Sequence, residues 1–382
     1  MEQYSRFGPP PDATLAALMR MRETLGITRV ADITGLDRVG IPVVQVTRPC
    51  SLSNTVAQGK GTSLGRAAIS AILESAESFF AERTERFDIV EASAAALDLP
   101  YARFALHLRD DVPADWQDRV TAWVAADDLM GGGRHLVPLE LVHTAYVVPP
   151  SPTDGIFIAT TTGLAVALDT RDAVTHGVLE CVERDALARA HRRHGFFQHS
   201  RIDPATIEDD GVLALLDELA AKGLLVGLWL APSPTGVPAI WCHLLESGPR
   251  ETALLHLPAE GSAAALDPAA AIIHAIHEAA QARLAAISGA RDDVTRACYP
   301  KYPDWQMIAA HRRLITEGPR NIDFAALCAD VPKDNQAPLP ALLARLEASG
   351  VGNLFVVGLD TEPCEGLSAV RVVVPELLPL LA

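Results

Sequence analysis

Aromatic residues make up only 5% of this 382-residue chain, so a core would have to be built mainly from Ala, Val, Leu and Ile. Positive charge is also scarce: 32 Lys and Arg stand against 48 Asp and Glu, a formal net charge of −16. A surface this acidic repels nucleic-acid phosphates, whose binding depends on clustered Lys and Arg, and no nucleic-acid partner is expected. The longest basic cluster, Arg189 to Arg193 with His191 and His194, is short. It falls at a predicted helix end, where positive side chains suit the helix dipole. No two of the six cysteines (Cys50, Cys181, Cys242, Cys298, Cys328, Cys364) form a CxxC pair. Neither a zinc ribbon nor a thioredoxin-type site is therefore indicated. No apolar run reaches the ~18 residues of a membrane span, and the first residues lack a charged-then-apolar signal pattern. A soluble cytoplasmic protein with reduced thiols and no membrane partner is expected.

What is present is ordinary globular composition, 49% hydrophobic and 21% charged, over a length that allows one large domain or two smaller ones. Residues 1–12, with Pro9, Pro10 and Pro11, read as an extended arm. Helical period predicts helices over Thr14 to Leu25, Leu64 to Ala81, Pro113 to Ala126, Thr170 to Arg193, Leu213 to Ala221 and Pro268 to Ser288. Asp267 is the expected N-cap of the last of these. Further helices are expected near Trp305 to Leu314 and Pro338 to Ala348. Strands are expected at Ile27 to Ile33, Ile41 to Thr47, Phe87 to Ala92, Tyr101 to Leu106, Ile156 to Thr160, Leu224 to Leu230, Ala239 to Leu244, Asn353 to Gly358 and Ala369 to Val374. Ser51 to Thr62, polar and carrying Gly59 and Gly61, reads as a loop. Long helices alternate with groups of strands without a strict β-α-β order, which favours an α+β fold.

Three helices carry charge in stripes. Ser70, Glu74 and Glu77 fall at i, i+4 and i+7, beside an apolar stripe of Ala68, Ile72 and Leu73. Two carboxylates near an apolar face are costly unless a cation or a proton compensates them, and magnesium, a hard ion held by a few carboxylates and phosphate oxygens, is a natural compensator. Asp172, His176, Glu180 and Glu183 form a second stripe, with Arg184 four residues after Glu180. Glu278, Gln281 and Arg283 lie on the third helix, followed by Arg291, Asp292 and Asp293. Each stripe alone also fits a solvated, salt-bridged helix face. Together, several carboxylates and a few arginines fit a nucleoside triphosphate held through divalent cations.

Two other patterns fail on their own terms. Gly59-Lys60-Gly61-Thr62 has Asn54 where a P-loop needs its first Gly. Gly61-Thr62-Ser63-Leu64-Gly65 matches a nucleophile elbow, which needs a buried strand before it, and Ser53 to Gly59 is mostly polar.

The stretches "ITRVADITGLDRVGIPVVQVTRP", "GKGTSLGRAAISAILESAE", "TTGLAVALDTRDAVTHGVLECVERDA" and "HEAAQARLAAISGARDD", in that order over nearly the whole chain, resemble the YcaO family. The N-terminal stretch most resembles stand-alone members, including those paired with a TfuA partner. The resemblance implies a YcaO-type α+β fold, with long helices packed on mixed or antiparallel sheets around a central ATP site. It implies a domain at 58–382 with an N-terminal segment, 1–57, packed on it. The implied activity is ATP- and Mg2+-dependent O-phosphorylation of a peptide backbone amide. A neighbouring Cys or Ser side chain would then give an azoline, and external sulfide a thioamide. Carried over by position, Ser70, Glu74 and Glu77 match the family's first nucleotide motif. Glu180, Glu183 and Arg184 match the second, with Asp172 where the family usually has Glu. Gln281 and Arg291 fall in the third motif region. Lys60 is implied as a phosphate contact, and Thr14 falls where some members use a Ser near the nucleotide. By the same resemblance Glu74, Glu77, Glu180 and Glu183 hold the metal, and Arg184 and Arg291 act catalytically on the transferring phosphoryl group.

The chain departs from the family at three points: Thr162 replaces an Asn, Leu168 stands where some members place a nucleotide-binding Asn, and Asp172 is one methylene short. Its end, "PELLPLLA", lacks the Pro-x-Pro-x-Pro tail of azoline-forming cyclodehydratases, which favours a thioamide-forming or other stand-alone branch. The implied partners are a precursor peptide or protein substrate, a TfuA-like sulfur-delivery or peptide-recognition protein, and a second copy in a homodimer. Two readings stand beside this one: a catalytically reduced accessory or binding subunit, and an accessory factor in ribosomal-protein methylthiolation.

Overall fold

The computed structural model describes residues 11–380 apart from 249–252, 256, 293–298, 300–303, 329–337, 360–363 and 365. Residues 1–10 of the expected arm, Asp293 and Cys298 lie outside the described residues. The helices in chain order are α1 (Pro11–Met21), α2 (Leu64–Ala81), α3 (Thr170–Arg192), α4 (Phe196–His199), α5 (Asp210–Ala221), α6 (Pro268–Ser288), α7 (Trp305–Glu317), α8 (Phe324–Cys328) and α9 (Pro338–Ala348). The strands are β1 (Arg29–Asp32), β2 (Val43–Thr47), β3 (Val56–Lys60), β4 (Val90–Ser93), β5 (Val120–Asp128), β6 (Arg134–Pro138), β7 (Leu164–Ala167), β8 (Leu224–Ala231), β9 (Ala239–Glu246), β10 (Ala259–Ala264), β11 (Phe355–Gly358) and β12 (Ser368–Val373).

They form an α+β architecture of three sheets. Strands β1-β2-β3 make one and β10-β9-β8 a second, while β4-β5-β11-β12-β7 make the third with β6 added on β5. All pairings between these strands are antiparallel. Each sheet carries one long helix: α2 lies on β2 and β3, α6 on β9 and β10, and α3 on β7 and β12. Helix α3 also touches β10, and α6 touches β3, so the three helix-and-sheet units meet.

The capping chemistry follows the sequence. Asp267 Oδ1 accepts from Ala269 N at 3.0 Å, as expected of an N-cap. Asp169 caps α3 and Ser63 caps α2 in the same way. Strand β3 does lead into the elbow-like run, but the Ser63 side chain accepts from Arg66 N at 3.3 Å and serves the helix. The core is aliphatic, as the composition requires, with Trp123 and Trp229 as its largest fully buried side chains.

Four segments differ from expectation. The polar loop expected over Ser51 to Thr62 contains β3, paired along its length with β2 across position 58. Gln58 is buried and donates to Gln45 Oε1, and Gly59 is a packing residue, since a Cβ there would lie 2.0 Å from Ala71 N of α2. Gly261 on β10 plays the same part under α6, 2.1 Å from Ala279 N by the same measure. The helix expected from Pro113 to Ala126 is instead a short 3-10 turn (Trp116–Asp118) followed by β5. Its Val120, Thr121 and Val124 are β-branched and favour a pleated surface, and Trp123 Nε1 donates to Ala92 O of β4. Tyr101–His107 is a 3-10 helix and no strand. In that geometry i and i+3 eclipse, and Tyr101 and Phe104 meet Trp116 and Phe157 edge to face. Within Ile156 to Thr160 only a single bridge forms, Phe157 to Leu108. Strands β6, β7 and β10 were not expected; β10, "AEGSAA", is alanine-rich and carries no β-branched residue.

Candidate active site

Helices α2 and α3 bring their acidic stripes together. Burial pushes Glu74 up to about 7, against the pull of Lys60 and Arg291. Glu77 is raised well above the usual carboxylate range by burial, and then by the charges of Glu180 and Glu74. Burial also raises Glu180, and it takes Glu183 up to about 7 despite the neighbouring Arg184. Glu278 of α6 adds its charge to those of Glu74, Glu180 and Glu183. Five glutamates from three helices therefore share one crevice. A water-facing helix surface would leave such groups near their ordinary values.

Each of the four motif glutamates is oriented by a different piece of backbone or side chain. Main-chain N–H groups of Gln58 on β3 and Val166 on β7 serve Glu74 and Glu77. Gly163 N donates to Glu180 Oε2 at 3.1 Å. Ser262 Oγ on β10 donates to Glu183 Oε1 at 2.6 Å. Lys60 Nζ lies 3.0 Å from Glu278 Oε2, and Gln281 Nε2 donates to Gln58 O at 2.8 Å, which ties α6 to β3. Arg184 lies 3.5 Å from Glu180 and 3.7 Å from Glu183. Burial opposes its charge, but Glu183, Glu180 and Glu278 outweigh that and raise its pKa.

Other expected residues stand at the edge of this crevice or away from it. Ser70 is half-buried one turn before Glu74, over Gly59. Asp172 is exposed in the first turn of α3, raised by burial and by Asp169, with His176 beside it. His176 and Lys60 both bear on His274 of α6, which connects that edge to the Lys60–Glu278 pair. Thr14 is buried on α1, which packs on α2. Thr162 is half-buried and Leu168 exposed. Asp292 accepts from Thr55 N. Arg283 has no part in the crevice: it is fully buried and pairs with Asp37 and Glu246, each at 2.5 Å.

Two residues of the site were not expected. Ser262 comes from an alanine-rich strand with no outward sign of function. Arg371 on β12 is 2% exposed, and its charge bears on Glu180 and Glu77. A lone arginine in the apolar run Ser368–Val373 was the available signal.

The donor set suits a magnesium ion shared with phosphates. Among the described residues no three His, Cys, Asp or Glu side chains are placed to hold a metal by themselves. Magnesium takes one or two carboxylates and draws its remaining ligands from phosphate and water. Burial keeps these carboxylates from ionising at their ordinary values, although Lys60, Arg184, Arg291 and Arg371 bring positive charge toward them.

A family model described as YcaO cyclodehydratase, ATP- and Mg2+-binding, matches residues 58–378. An uncharacterised protein of Methanothermobacter thermautotrophicus is 30% identical over 371 residues, 96% of this chain and 94% of that protein. A protein of Rhizobium leguminosarum bv. trifolii, described as lying in the tfuA 3′ region, is 31% identical over 384 residues, covering 96% and 87%. Among solved structures, that of YcaO from Methanopyrus kandleri bound with AMPPCP and Mg2+ superposes with a TM-score of 0.71 at 22% identity, over 97% of this chain and 91% of that one.

Proposed function

The chain belongs to the YcaO family, and from that premise we propose that it uses ATP and magnesium to activate a peptide backbone amide, giving a thioamide or an azoline. The observation that carries the reading is the convergence of Glu74, Glu77, Glu180 and Glu183, with Glu278, Lys60, Arg184 and Arg291, in one crevice. We take residues 1–57 as a segment packed on the domain that starts at 58; the boundary falls inside β3, whose pairing with β2 fastens the segment to the domain.

In this reading a nucleophile adds to the amide carbon, and the resulting tetrahedral oxygen takes the γ-phosphoryl group of ATP. The C–O bond then breaks, phosphate leaves, and the C=S or C=N bond forms. With hydrosulfide the sum is amide + HS− + ATP to thioamide + ADP + hydrogen phosphate, balanced in atoms and charge. Magnesium, when bound, neutralises phosphate charge and orients the triphosphate. Glu74, Glu77, Glu180 and Glu183 would hold it. Lys60, Gln281, Ser70 and the exposed Asp172 frame the nucleotide, and Arg184 and Arg291 stabilise charge on the moving phosphoryl group. No side-chain nucleophile on the protein is needed.

The relative in the tfuA 3′ region favours the thioamide branch and a TfuA-like partner. The exposed Leu168, where some members place a nucleotide-binding Asn, favours a second reading as a binding subunit without turnover. Titration with a non-hydrolysable ATP analogue separates the two. Saturable binding that requires Mg2+ is expected, and its absence would leave only the binding-subunit reading.

A further inference from the structure

Behind the glutamate crevice lies a small cavity lined by His107, Leu141, Thr160, Thr162, Cys181 and Arg371, with the segment 372–379 as its remaining wall. The space open to the centre of a water-sized molecule is about 30 Å3. One such molecule needs about 10–15 Å3 by this measure, so the space takes one or two heavy atoms.

Two polar atoms on its lining are buried without partners. Arg371 donates through Nε to Leu141 O at 2.8 Å and through Nη2 to Thr160 O at 2.5 Å, while Nη1 has no partner. Both carbonyls are neutral, so no hydrogen-bonded anion compensates this guanidinium, which is 2% exposed. The Nε2 atom of His107 is likewise buried and unpartnered. The ring bonds to main-chain oxygens of Val374 and Pro375, and burial takes its pKa down to about 4. In that neutral tautomer Nε2 is an acceptor. Cys181 spends its weak donor on Val372 O at 3.7 Å. A buried donor and a buried acceptor left without partners are each costly, so the pair calls for an occupant that accepts from Arg371 and donates to His107.

We infer that this cavity holds hydrosulfide, a protic anion with one heavy atom, beside the site of amide activation. It accepts from Arg371 Nη1 and donates its S–H to His107 Nε2, and its negative charge answers the unpaired guanidinium. The apolar lining of Leu141, Val372, Val373 and Leu377 suits a polarisable sulfur better than water. The loop through Thr160 and Thr162 continues to Gly163, which orients Glu180, so the cavity backs on the crevice where the nucleophile is used. The catalytic consequence rests on the function proposed above; the binding itself does not.

The test is crystallographic, on the full chain grown anaerobically with sodium hydrosulfide, with sodium chloride as the control, read by long-wavelength anomalous scattering. A sulfur peak between Arg371 and His107 is expected in the wild type, together with its loss in His107→Leu. Arg371→Lys serves as a second variant that keeps a charge, and a weakened peak is expected there. Water-level density, or equal occupancy by chloride showing an adventitious ion only, would overturn the inference. The same proteins titrated with the ATP analogue and Mg2+ keep the two ideas apart. Nucleotide binding without the sulfur peak sinks the cavity alone, and the peak without nucleotide binding sinks amide activation alone.

Discussion

Lys60 on β3 and Glu278 on α6 meet at 3.0 Å, joining two helix-and-sheet units whose contributing residues lie 218 positions apart. Each side chain is about a quarter exposed, 27% and 29%, so the pair adds little stability, on the order of 0–1 kcal/mol. Its value lies in placing an ammonium at the mouth of the crevice. Lys60→Met is expected to weaken magnesium-dependent binding of an ATP analogue about tenfold, ~1.4 kcal/mol, with the melting temperature almost unchanged. Isothermal titration and a thermal melt on the same samples check both halves.

Glu77→Gln and Glu183→Gln are each expected to abolish peptide-dependent phosphate release while leaving the chain folded. Both glutamates are held in a protein environment that disfavours their charge, and a neutral amide of the same shape removes that cost. The ligand-free variants should therefore melt no lower than the wild type. Retained turnover in both would separate these carboxylates from the chemistry.

The ligand-free protein should lose stability as pH rises from about 5 to 8. Glu74 and Glu183 titrate near 7 in the fold, and an unfolded Glu near 4.5. Between those values the native state binds protons that the unfolded chain has released, so unfolding becomes easier with each step upward. The stabilisation is complete below about 4.5 and is lost through 7. Magnesium with the ATP analogue should flatten the slope, because ligand then compensates the ionised carboxylates. Melting curves of wild type and Glu74→Gln across this range test it, and equal slopes in the two would count against Glu74 as a source.

The helices of the site were legible because their signals are local. Residues Leu64 to Ala81 and Pro268 to Ser288 form α2 and α6 with the expected bounds, since the period lies within each segment and the N-caps Ser63 and Asp267 directly precede it. The acidic stripes could be listed for the same reason. Their convergence could not be derived from spacing, because it depends on β3 and β10. Both strands are short and polar or alanine-rich, and take their strand character from packing. Gly59 looked like a turn residue and is the point where α2 touches its sheet. Arg283, grouped with Glu278 and Gln281 by its place on the helix, is a buried partner of Asp37 and Glu246, a separation that depends on how α6 packs and not on spacing.

Gly59→Ala tests that packing. The new Cβ would fall 2.0 Å from Ala71 N and 2.4 Å from Ala67 O, backbone atoms that cannot rotate away. Helix α2 must lift from β3, at a cost of about 1–3 kcal/mol or more. The displacement also carries Ser70 and Glu74. Loss of nucleotide affinity together with stability is expected in denaturant and titration experiments. A variant that binds and melts like the wild type would mean that the helix does not rest on this strand.

Ser262 offers a finer probe of Glu183. Its hydroxyl donates at 2.6 Å to one carboxylate oxygen, which favours the charged form of an otherwise disfavoured group. Ser262→Ala removes that donor in a buried place, so the Glu183 pKa must rise above its value of about 7. Metal-dependent nucleotide binding needs the carboxylate ionised, and its acid-side midpoint should therefore move to higher pH. Ser262→Thr keeps a hydroxyl and should restore the wild-type profile, whereas a change due only to altered packing would not follow the donor. Binding measured from pH 5.5 to 9 in the three proteins distinguishes these outcomes. If the alanine variant lowers affinity equally at every pH, Ser262 shapes the strand and has no hold on the proton of Glu183.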